Sequence, residues 1–100
     1  MRVITKKPIE IFAQKYPETR NALNGWLKII KKNNFLNFSE LRKTFPNADQ
    51  VEKCTVFNIG GNKVRLIAAI HYNRRIIYIR DVLTHADYDT GKWRASCEKR

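Results

Sequence analysis

Apolar residues in the first half of the chain recur every three to four positions, which is the spacing of one face of an α-helix. This spacing predicts a first helix over residues 9–16, with Pro8 in its first turn and Pro17 at its end. A second predicted helix stops at Asn33, and its apolar stripe comprises Leu23, Trp26, Leu27 and Ile30. Each helix is therefore expected to bury one face against a core.

Two shorter elements are predicted beside these helices. Ser39 is a suitable N-cap for a third helix that runs through Leu41, and Pro46 halts that helix. Residues 2–5 are expected to form a short strand at the edge of a sheet. All the predicted helices therefore lie in the first half of the chain.

The hydrophobic period changes to two in the second half, which is typical of β-strands. Strands are predicted over residues 55–59, 63–72 and 75–83, which are rich in Val, Ile and Tyr. The Gly-Gly-Asn run at 60–62 and the Asn-Arg pair at 73–74 supply the turns, because Gly and Asn tolerate the positive φ of tight hairpins. Consecutive strands with such short connections predict an antiparallel sheet.

Alternation along the predicted strands separates the two faces of the sheet. One face is almost wholly apolar, so the amphipathic helices are expected to cover it. Its residues are Phe57, Ile59, Val64, Leu66, Ala68, Ile70, Ile77 and Ile79. The predicted fold class is therefore α+β, with two N-terminal amphipathic helices packed on one side of a twisted antiparallel sheet.

The opposite face is expected to be open and to carry polar and cationic groups. Its strand residues are Asn58, Lys63, Arg65, Tyr78 and Arg80, and the last strand is followed by His85 and Tyr88. A two-residue turn at 73–74 places Ile67 opposite Arg80 and makes Arg65 a diagonal neighbour of Arg80. Two adjacent arginines indicate a bound anion, or else pairing with one of the nearby carboxylates, which are Asp81, Asp87 and Asp89.

Length and charge narrow the possible functions. One hundred residues are expected to form one domain, 1–100, in which 90–100 is a basic C-terminal tail. Twenty Lys and Arg against nine Asp and Glu give a net charge of +11, above the roughly 2–8 that keeps a small domain soluble. The excess favours attraction to phosphates, with a generally basic surface as the plainer alternative.

The sequence also predicts a compartment. It has no apolar run typical of a signal peptide and nothing near the roughly 20 apolar residues of a membrane span, so a cytoplasmic protein without membrane contact is expected. Cys54 and Cys97 have no C-x-x-C spacing. They are expected to be free thiols, Cys54 in a strand and Cys97 in the tail, and they do not predict a zinc site.

The open face favours one kind of phosphate chemistry. It lacks the carboxylate cluster of a two-metal nuclease, so neither a metal site nor a cofactor is expected. The remaining possibility is RNA cleavage, in which the 2′-hydroxyl attacks the adjacent phosphorus and releases a 5′-hydroxyl. That reaction requires a base, an acid and cations around the phosphate.

Each of these roles has a candidate residue. Arg65 and Arg80 are the predicted phosphate-binding cations of the catalytic set. His85 can accept or donate a proton near neutral pH, or else be a hydrogen-bonded loop histidine. Tyr88 can donate a proton or stack on a base, or else pack on the sheet edge. Predicted RNA contacts outside this set are Asn58, Lys63, Lys92 and Arg94.

Several motifs resemble the HigB family of bacterial type II toxin–antitoxin systems, within the RelE/ParE-like superfamily. They are Phe45-Pro46-Asn47-Ala48-Asp49, Val56-Phe57-Asn58-Ile59-Gly60-Gly61-Asn62-Lys63, Arg65-Leu66, Tyr78-Ile79-Arg80 and Thr84-His85-Ala86-Asp87-Tyr88-Asp89. The resemblance implies a RelE-like fold and a phosphate-binding Arg65 with Lys63 nearby. It also implies that His85 and Tyr88 stand where RelE-like toxins hold a basic residue and a tyrosine.

The resemblance further implies a function and partners. Members of the family are mRNA interferases that cleave translated mRNA in the decoding A site of the ribosome. A HigA-type helix-turn-helix antitoxin is the implied inhibitor, and operator DNA is the implied partner of the toxin–antitoxin complex only. Two alternatives stay open, a ParE-like gyrase poison with the same fold and a non-catalytic RNA- or ribosome-binding module.

Overall fold

The computed structural model describes residues 1–61 and 63–98, and it has the predicted α+β architecture. In chain order its elements are β1 (Arg2–Ile4), α1 (Lys7–Lys15), α2 (Arg20–Lys32), α3 (Phe38–Thr44), β2 (Asp49–Val51), β3 (Cys54–Ile59), β4 (Val64–His71), β5 (Ile76–Thr84), α4 (His85–Asp89) and α5 (Arg94–Glu98). Single 3₁₀ turns occur at Pro17–Thr19 and Tyr72–Arg74. No helix in the described ranges has the length and apolar character needed to cross a bilayer.

The helices follow the predicted periodicity with one correction. Pro8 lies in the first turn of α1, and α2 ends at Asn33. The third helix is capped by Asn37 and not by Ser39, since the Asn37 side chain accepts a hydrogen bond of 2.9 Å from the Glu40 backbone amide. Asn is as good an N-cap as Ser, and its earlier position lengthens the helix by two residues at its start.

The sheet is mixed, which corrects the prediction of a purely antiparallel one. Its strand order is β1-β5-β4-β3-β2, and β1 pairs in parallel with β5 while the other neighbours are antiparallel. Hairpin turns predict only connections between consecutive strands, so they carried no information about the direction of β1. The edge strand β2 was not predicted from the sequence.

One face of the sheet, hereafter the helix-covered face, carries the main core. It buries all the residues predicted for it, with Ile70 at the margin. The buried side chains of α1, α2 and α3 that pack there include Ile9, Phe12, Leu23, Trp26, Ile30 and Leu41. The expected packing of amphipathic helices on an apolar sheet face is therefore confirmed.

The first hairpin joins β3 to β4, whose residues nearest the turn pair directly. Asn58 pairs with Arg65 and Ile59 with Val64, so the predicted parity of these residues is confirmed. Gly60 and Gly61 have φ values of +65° and +63°, which a side chain would strain. The predicted turn residue Asn62 lies outside the described residues.

Next to its turn the second hairpin has the register predicted for a turn at residues 73–74, with His71 paired to Ile76 and Ala68 to Ile79. The chain reverses through the 3₁₀ turn at Tyr72–Arg74, and Arg75 adopts a left-handed φ of +59°. A β-bulge between Ile67 and Ala68 then shifts the register, so that Ile67 pairs with Asp81 and Arg65 with Leu83. The expectation that Ile67 faces Arg80, with Arg65 diagonal to Arg80, is wrong because the bulge adds a residue to β5.

The other face, hereafter the second face, is partly covered by the C-terminal segment. Trp93 and the α5 residue Cys97 pack with Cys54, Val56 and Ile67 in a second apolar cluster. The predicted basic tail thus packs on the sheet through Trp93 and Cys97. The prediction that this whole face is open is wrong, because the tail was not recognised as helical.

Cys54 and Cys97 form a disulfide, so the prediction of two free thiols is also wrong. The half-cystines are 43 residues apart, and only the return of α5 onto the sheet brings them together. Closing a loop of that length stabilises the fold by about 4 kcal/mol in the chain-entropy model. The crosslink therefore holds α5 on the second face.

Candidate active site

The sheet places two polar side chains side by side on the part of the second face that α5 leaves accessible. Asn58 in β3 and Arg65 in β4 are directly paired, and both are half-buried. The next residue, Leu66, points through the sheet and is fully buried on the helix-covered face. Burial of its neighbours thus fixes the direction in which Arg65 points.

Thr84 creates the second half of the site by starting α4 directly at the end of β5. Its hydroxyl oxygen accepts a hydrogen bond of 3.1 Å from the Asp87 backbone amide, which is an N-cap contact. The single turn that follows presents His85, Tyr88 and Asp89 at positions i, i+3 and i+4. Residues at these spacings lie on one side of a helix, so the three side chains face the same region.

His85 lies between a cation and a carboxylate. A terminal guanidinium nitrogen of Arg65 is 3.4 Å from His85 Nδ1, and His85 Nε2 is 3.1 Å from Asp89 Oδ2. A guanidinium can only donate, so the Arg65 contact assigns the lone pair to Nδ1 and the proton to Nε2, which donates to Asp89. The arrangement therefore selects the neutral tautomer with an acceptor directed at Arg65.

Tyr88 adds an aromatic surface beside the same arginine. The Arg65 guanidinium carbon lies 5.3 Å from the centre of the Tyr88 ring, which is a cation–π contact. On the C-terminal side, Trp93 stacks on Tyr88 with ring centres 4.9 Å apart and an interplanar angle of 15°. Arg94 in turn lies 5.4 Å from the Trp93 ring. Cations and rings therefore alternate from Arg65 to Arg94.

The site is accessible to a large ligand. The side chains of His85 and Asp89 are 56% and 60% exposed, and they border the half-buried Arg65 and Tyr88. No cluster of three His, Cys, Asp or Glu side chains exists among the residues the structure describes, so none of these is assigned to a metal. What the site does offer is a cation beside an imidazole and a carboxylate, with a tyrosine ring in contact with the cation.

Of the four predicted catalytic residues, the structure brings together Arg65, His85 and Tyr88. Arg80 is exposed at the bulge and lines a cavity of about 320 Å³ next to the disulfide, together with Lys53 and His71. It also lines a second cavity, together with residues of α1 and Asp87 of α4. The burial of the neighbouring Asp81 raises the pKa of its carboxyl group.

The four predicted RNA-binding residues lie in different elements around the Arg65–His85 site. Asn58 is the direct strand partner of Arg65, and Arg94 stacks on Trp93. Lys63 is exposed in the turn before β4, and Lys92 is exposed just before Trp93. All four are on or next to the elements that build the site.

Sequence reasoning missed two residues of the site. Asp89 stands one helical turn after His85, and this i, i+4 spacing is a signal that was available. Trp93 gave no such signal, because its contact with Tyr88 follows from the turn at Thr90–Lys92, in which the Lys92 amide donates a hydrogen bond to the Thr90 hydroxyl. Both residues act on a predicted site residue, Asp89 on His85 and Trp93 on Tyr88.

Comparison with known proteins agrees with the resemblance seen in the motifs. Residues 19–91 match the HigB toxin family, described as the RelE-like toxic component of a toxin–antitoxin system. The mRNA interferase HigB of Escherichia coli O6:H1 is 36% identical over 92 residues, which cover 89% of each chain. The mRNA interferase toxin HigB of Escherichia coli K12 and the mRNA interferase HigB of Shigella flexneri are also 36% identical, covering 89% of this chain and 88% of theirs.

Proposed function

Because this chain belongs to the HigB family of RelE-like toxins, we propose that it is an endoribonuclease that cleaves translated mRNA and thereby arrests growth. The observation that carries the proposal is the continuous contact from Arg65 through His85 to Asp89. It joins a phosphate-binding group to a group that can accept a proton. RNA with its own 2′-hydroxyl supplies the nucleophile, so the protein has to supply only charge, proton transfer and orientation.

Substrate binding and activation are coupled at Arg65. The scissile phosphate offers Arg65 two oxygen acceptors, which are stronger partners than a neutral imidazole nitrogen at 3.4 Å. When Arg65 turns to the phosphate, the lone pair of His85 Nδ1 becomes available. His85 then accepts the proton of the 2′-hydroxyl, whose oxygen attacks phosphorus to give a 2′,3′-cyclic phosphate.

Departure of the 5′-oxygen needs a proton and stabilisation of the phosphorane charge. Arg65 provides the charge, and Tyr88 is the hydroxyl group at the centre that can protonate the leaving oxygen. Asp89 keeps His85 in the correct tautomer and stabilises the imidazolium that forms during attack. The products are a cyclic phosphate on one fragment and a 5′-hydroxyl on the other.

The surrounding cations bind the RNA strand outside the reacting phosphate. Asn58, Lys63, Lys92 and Arg94 are assigned to the nucleotides next to the cleavage point, and Arg80 to a phosphate farther along the second face. A net charge of +11 supports such contacts, and it predicts that binding to ribosomes or RNA weakens as salt is added.

The expected partners follow from the same proposal. Membership of this toxin family implies a cognate antitoxin. We assign a HigA-type helix-turn-helix protein to that role and expect the pair, not the toxin alone, to bind operator DNA. The toxin would act in the cytoplasm, on mRNA held in the decoding A site of the ribosome.

The two other functions considered for this fold are less well supported. A ParE-like gyrase poison needs no cation–imidazole–carboxylate contact, and the matched relatives are named mRNA interferases. A simple RNA-binding module is expected to expose aromatic rings between its cations. Here Tyr88 is half-buried and Trp93 is 5% exposed, so their rings mainly pack within the protein.

The test is to map 5′ ends by primer extension after induction of the wild type or the Arg65→Ala variant. One transcript is supplied in two copies, with and without a start codon and ribosome-binding site. New 5′-hydroxyl ends in the translated copy only, and with the wild type only, are expected. Growth arrest without new ends would favour the gyrase poison, and no arrest would favour the binding module.

A further inference from the structure

The segment after α4 contains a tryptophan, Trp93, that makes two contacts with a proposed catalytic residue. Trp93 stacks on the Tyr88 ring, and its indole Nε1 donates a hydrogen bond of 2.9 Å to the Tyr88 backbone carbonyl. These two contacts fix both the plane of the Tyr88 side chain and the path of its backbone. The same Tyr88 ring also contacts the Arg65 guanidinium, whose carbon lies 5.3 Å from the ring centre.

The crosslink keeps this tryptophan in place. Trp93 is followed after one turn by Cys97, whose disulfide to Cys54 fastens α5 to the start of β3. The short helices α4 and α5 have five residues each, too few to be stable alone in water. Their geometry therefore depends on tertiary contacts, of which the disulfide is the covalent one.

We propose that Trp93 is a positioning residue for RNA cleavage: tethered by the Cys54–Cys97 disulfide, it holds Tyr88 against Arg65 in the geometry that the reaction requires. This inference rests on the proposed nuclease function. Trp93 then affects the rate of cleavage through Tyr88, without having to contact RNA. It also makes the rate of cleavage depend on the state of the disulfide.

The Cys54–Cys97 disulfide can be reduced by thiol–disulfide exchange. A dithiol reductant converts the disulfide into two thiols by successive exchange, and the reductant closes to its own cyclic disulfide. Two electrons and two protons pass to the protein sulfurs. The C-terminal segment then loses its covalent attachment to β3 and keeps the packing and the hydrogen bond of Trp93, so Tyr88 loses part of its support.

A pair of substitutions separates positioning from simple filling of the apolar cluster. Trp93→Phe keeps a ring that can stack on Tyr88, whereas Trp93→Leu keeps apolar bulk without stacking. Val51→Ala is the matched control, because Val51 packs against the same cluster through the edge strand β2. All three are compared after circular dichroism and thermal melting have shown them to be folded.

The assay is single-turnover cleavage of a short mRNA bound to the ribosome, followed over a range of toxin concentrations. Trp93→Leu is expected to lower the rate at saturation by about tenfold to a hundredfold, the usual cost of misplacing a catalytic group by about 1 Å. Its half-saturating concentration should change by less than about threefold, since phosphate contacts dominate affinity. Val51→Ala should stay within about threefold of the wild-type rate. Trp93→Phe keeps the stacking ring but loses the hydrogen bond to the Tyr88 carbonyl, so its rate should fall between those of the wild type and Trp93→Leu.

A double-mutant cycle provides the second readout. If Trp93 acts through Tyr88, then Trp93→Leu has no further effect on the rate in a Tyr88→Ala background. Independent, additive losses would overturn the proposal, as would equal rates for Trp93→Leu and Trp93→Phe. A wild type that cleaves no ribosome-bound mRNA would instead refute the proposed function, which keeps the two failures distinct.

The tether is tested with a Cys54→Ser/Cys97→Ser double variant, which leaves no unpaired thiol. Its saturating rate should fall toward that of Trp93→Leu, and the wild type pretreated with dithiothreitol until both thiols react with a thiol reagent should match it. A rate equal to that of the oxidised wild type in both samples would overturn the part assigned to the disulfide.

Discussion

The two faces of the sheet are built from different kinds of contact. The helix-covered face packs three helices against continuous apolar strand residues, and many of its side chains are completely buried. The second face has a small apolar cluster around the disulfide and, next to it, the polar site at Arg65. Adjacent residues of β4 thus serve opposite purposes, Leu66 in the core and Arg65 in the site.

This difference between the two faces indicates that stability depends mainly on one face and activity on the other. Burial on the helix-covered face supplies most of the hydrophobic free energy, because that free energy scales with the apolar area removed from water. The second face gives up part of that area to exposed polar groups, and a covalent crosslink offsets some of the loss. Substitutions on the two faces should therefore have separable effects on folding and on cleavage.

The largest expected effect is on activity, from Arg65→Ala. Removing the cation that stabilises the phosphorane should lower the cleavage rate about 10²–10³-fold. The free energy of unfolding should change little, because Arg65 is half-buried and its contacts lie at the surface. Single-turnover cleavage and urea unfolding of the same preparation measure the two quantities.

The matched control for this prediction is Arg80→Ala, which removes an equal charge from the neighbouring strand. Because Arg80 lines the separate cavity beside the disulfide, its loss should weaken RNA binding by less than about tenfold and spare the saturating rate. Equal losses of rate in the two variants would contradict the location of the catalytic centre.

The converse experiment is Leu66→Ala, which acts on the other face from the next position in the chain. Leu66 is 0% exposed, so truncation should cost about 2–5 kcal/mol of unfolding free energy through lost burial and a cavity. The cleavage rate per folded molecule should equal that of the wild type. Urea denaturation gives the first quantity, and rates corrected for the folded fraction give the second.

A smaller effect is expected from Asp89→Asn. The amide can still approach His85 Nε2, but it stabilises neither the tautomer nor the imidazolium as the carboxylate does. Both side chains are more than half exposed, so solvent screens the pair and a loss of about tenfold in rate is expected. An unchanged rate across the neutral pH range would show that Asp89 does not assist His85.

The smallest expected effect is on stability and concerns Asp81, which lies at the β-bulge next to Arg80. Partial burial raises the pKa of its carboxyl group, so the charged form is disfavoured in the fold. The stability that this group contributes is present below its unfolded pKa and is lost as the pH rises through the folded pKa. Asp81→Asn should therefore stabilise the protein slightly at neutral pH, by less than about 0.5 kcal/mol.

Comparing thermal melts of this variant and the wild type over a pH series tests the sign. The difference in melting temperature should shrink as the pH falls and wild-type Asp81 becomes protonated. A difference that grew on acidification would mean that the Asp81 carboxylate is stabilised in the fold and that the stated cause is wrong.

The sequence predicted one face much better than the other, for a physical reason. Leu23, Trp26 and Ile30 recur at helical spacing because one face of a helix is buried, and the strand residues alternate because one face of a sheet is buried. Such local periods are visible in a single chain. The helix-covered face, the parity of Arg65 and the α+β class could therefore all be predicted.

The contacts on the second face depend on features that leave no local period. A bulge moved Arg80 away from Arg65, and a chain reversal after α4 brought Trp93 onto Tyr88. The Cys54–Cys97 disulfide joins residues 43 positions apart, and single-sequence spacing contains no record of that proximity. The sequence could thus predict which residue types lie on the face of the site. It could not predict which of these residues contact one another.

The most direct test of the proposed mechanism replaces one 2′-hydroxyl group of the substrate by hydrogen. Two ribosome-bound mRNAs are compared at saturating wild-type toxin, one all-ribose and the other with a single 2′-deoxy nucleotide on the 5′ side of the mapped cleavage point. We predict cleavage of the first to a 2′,3′-cyclic phosphate and a 5′-hydroxyl, and no cleavage of the second at that point. Equal cleavage of both would contradict attack by the 2′-hydroxyl, and with it the roles assigned to Arg65 and His85.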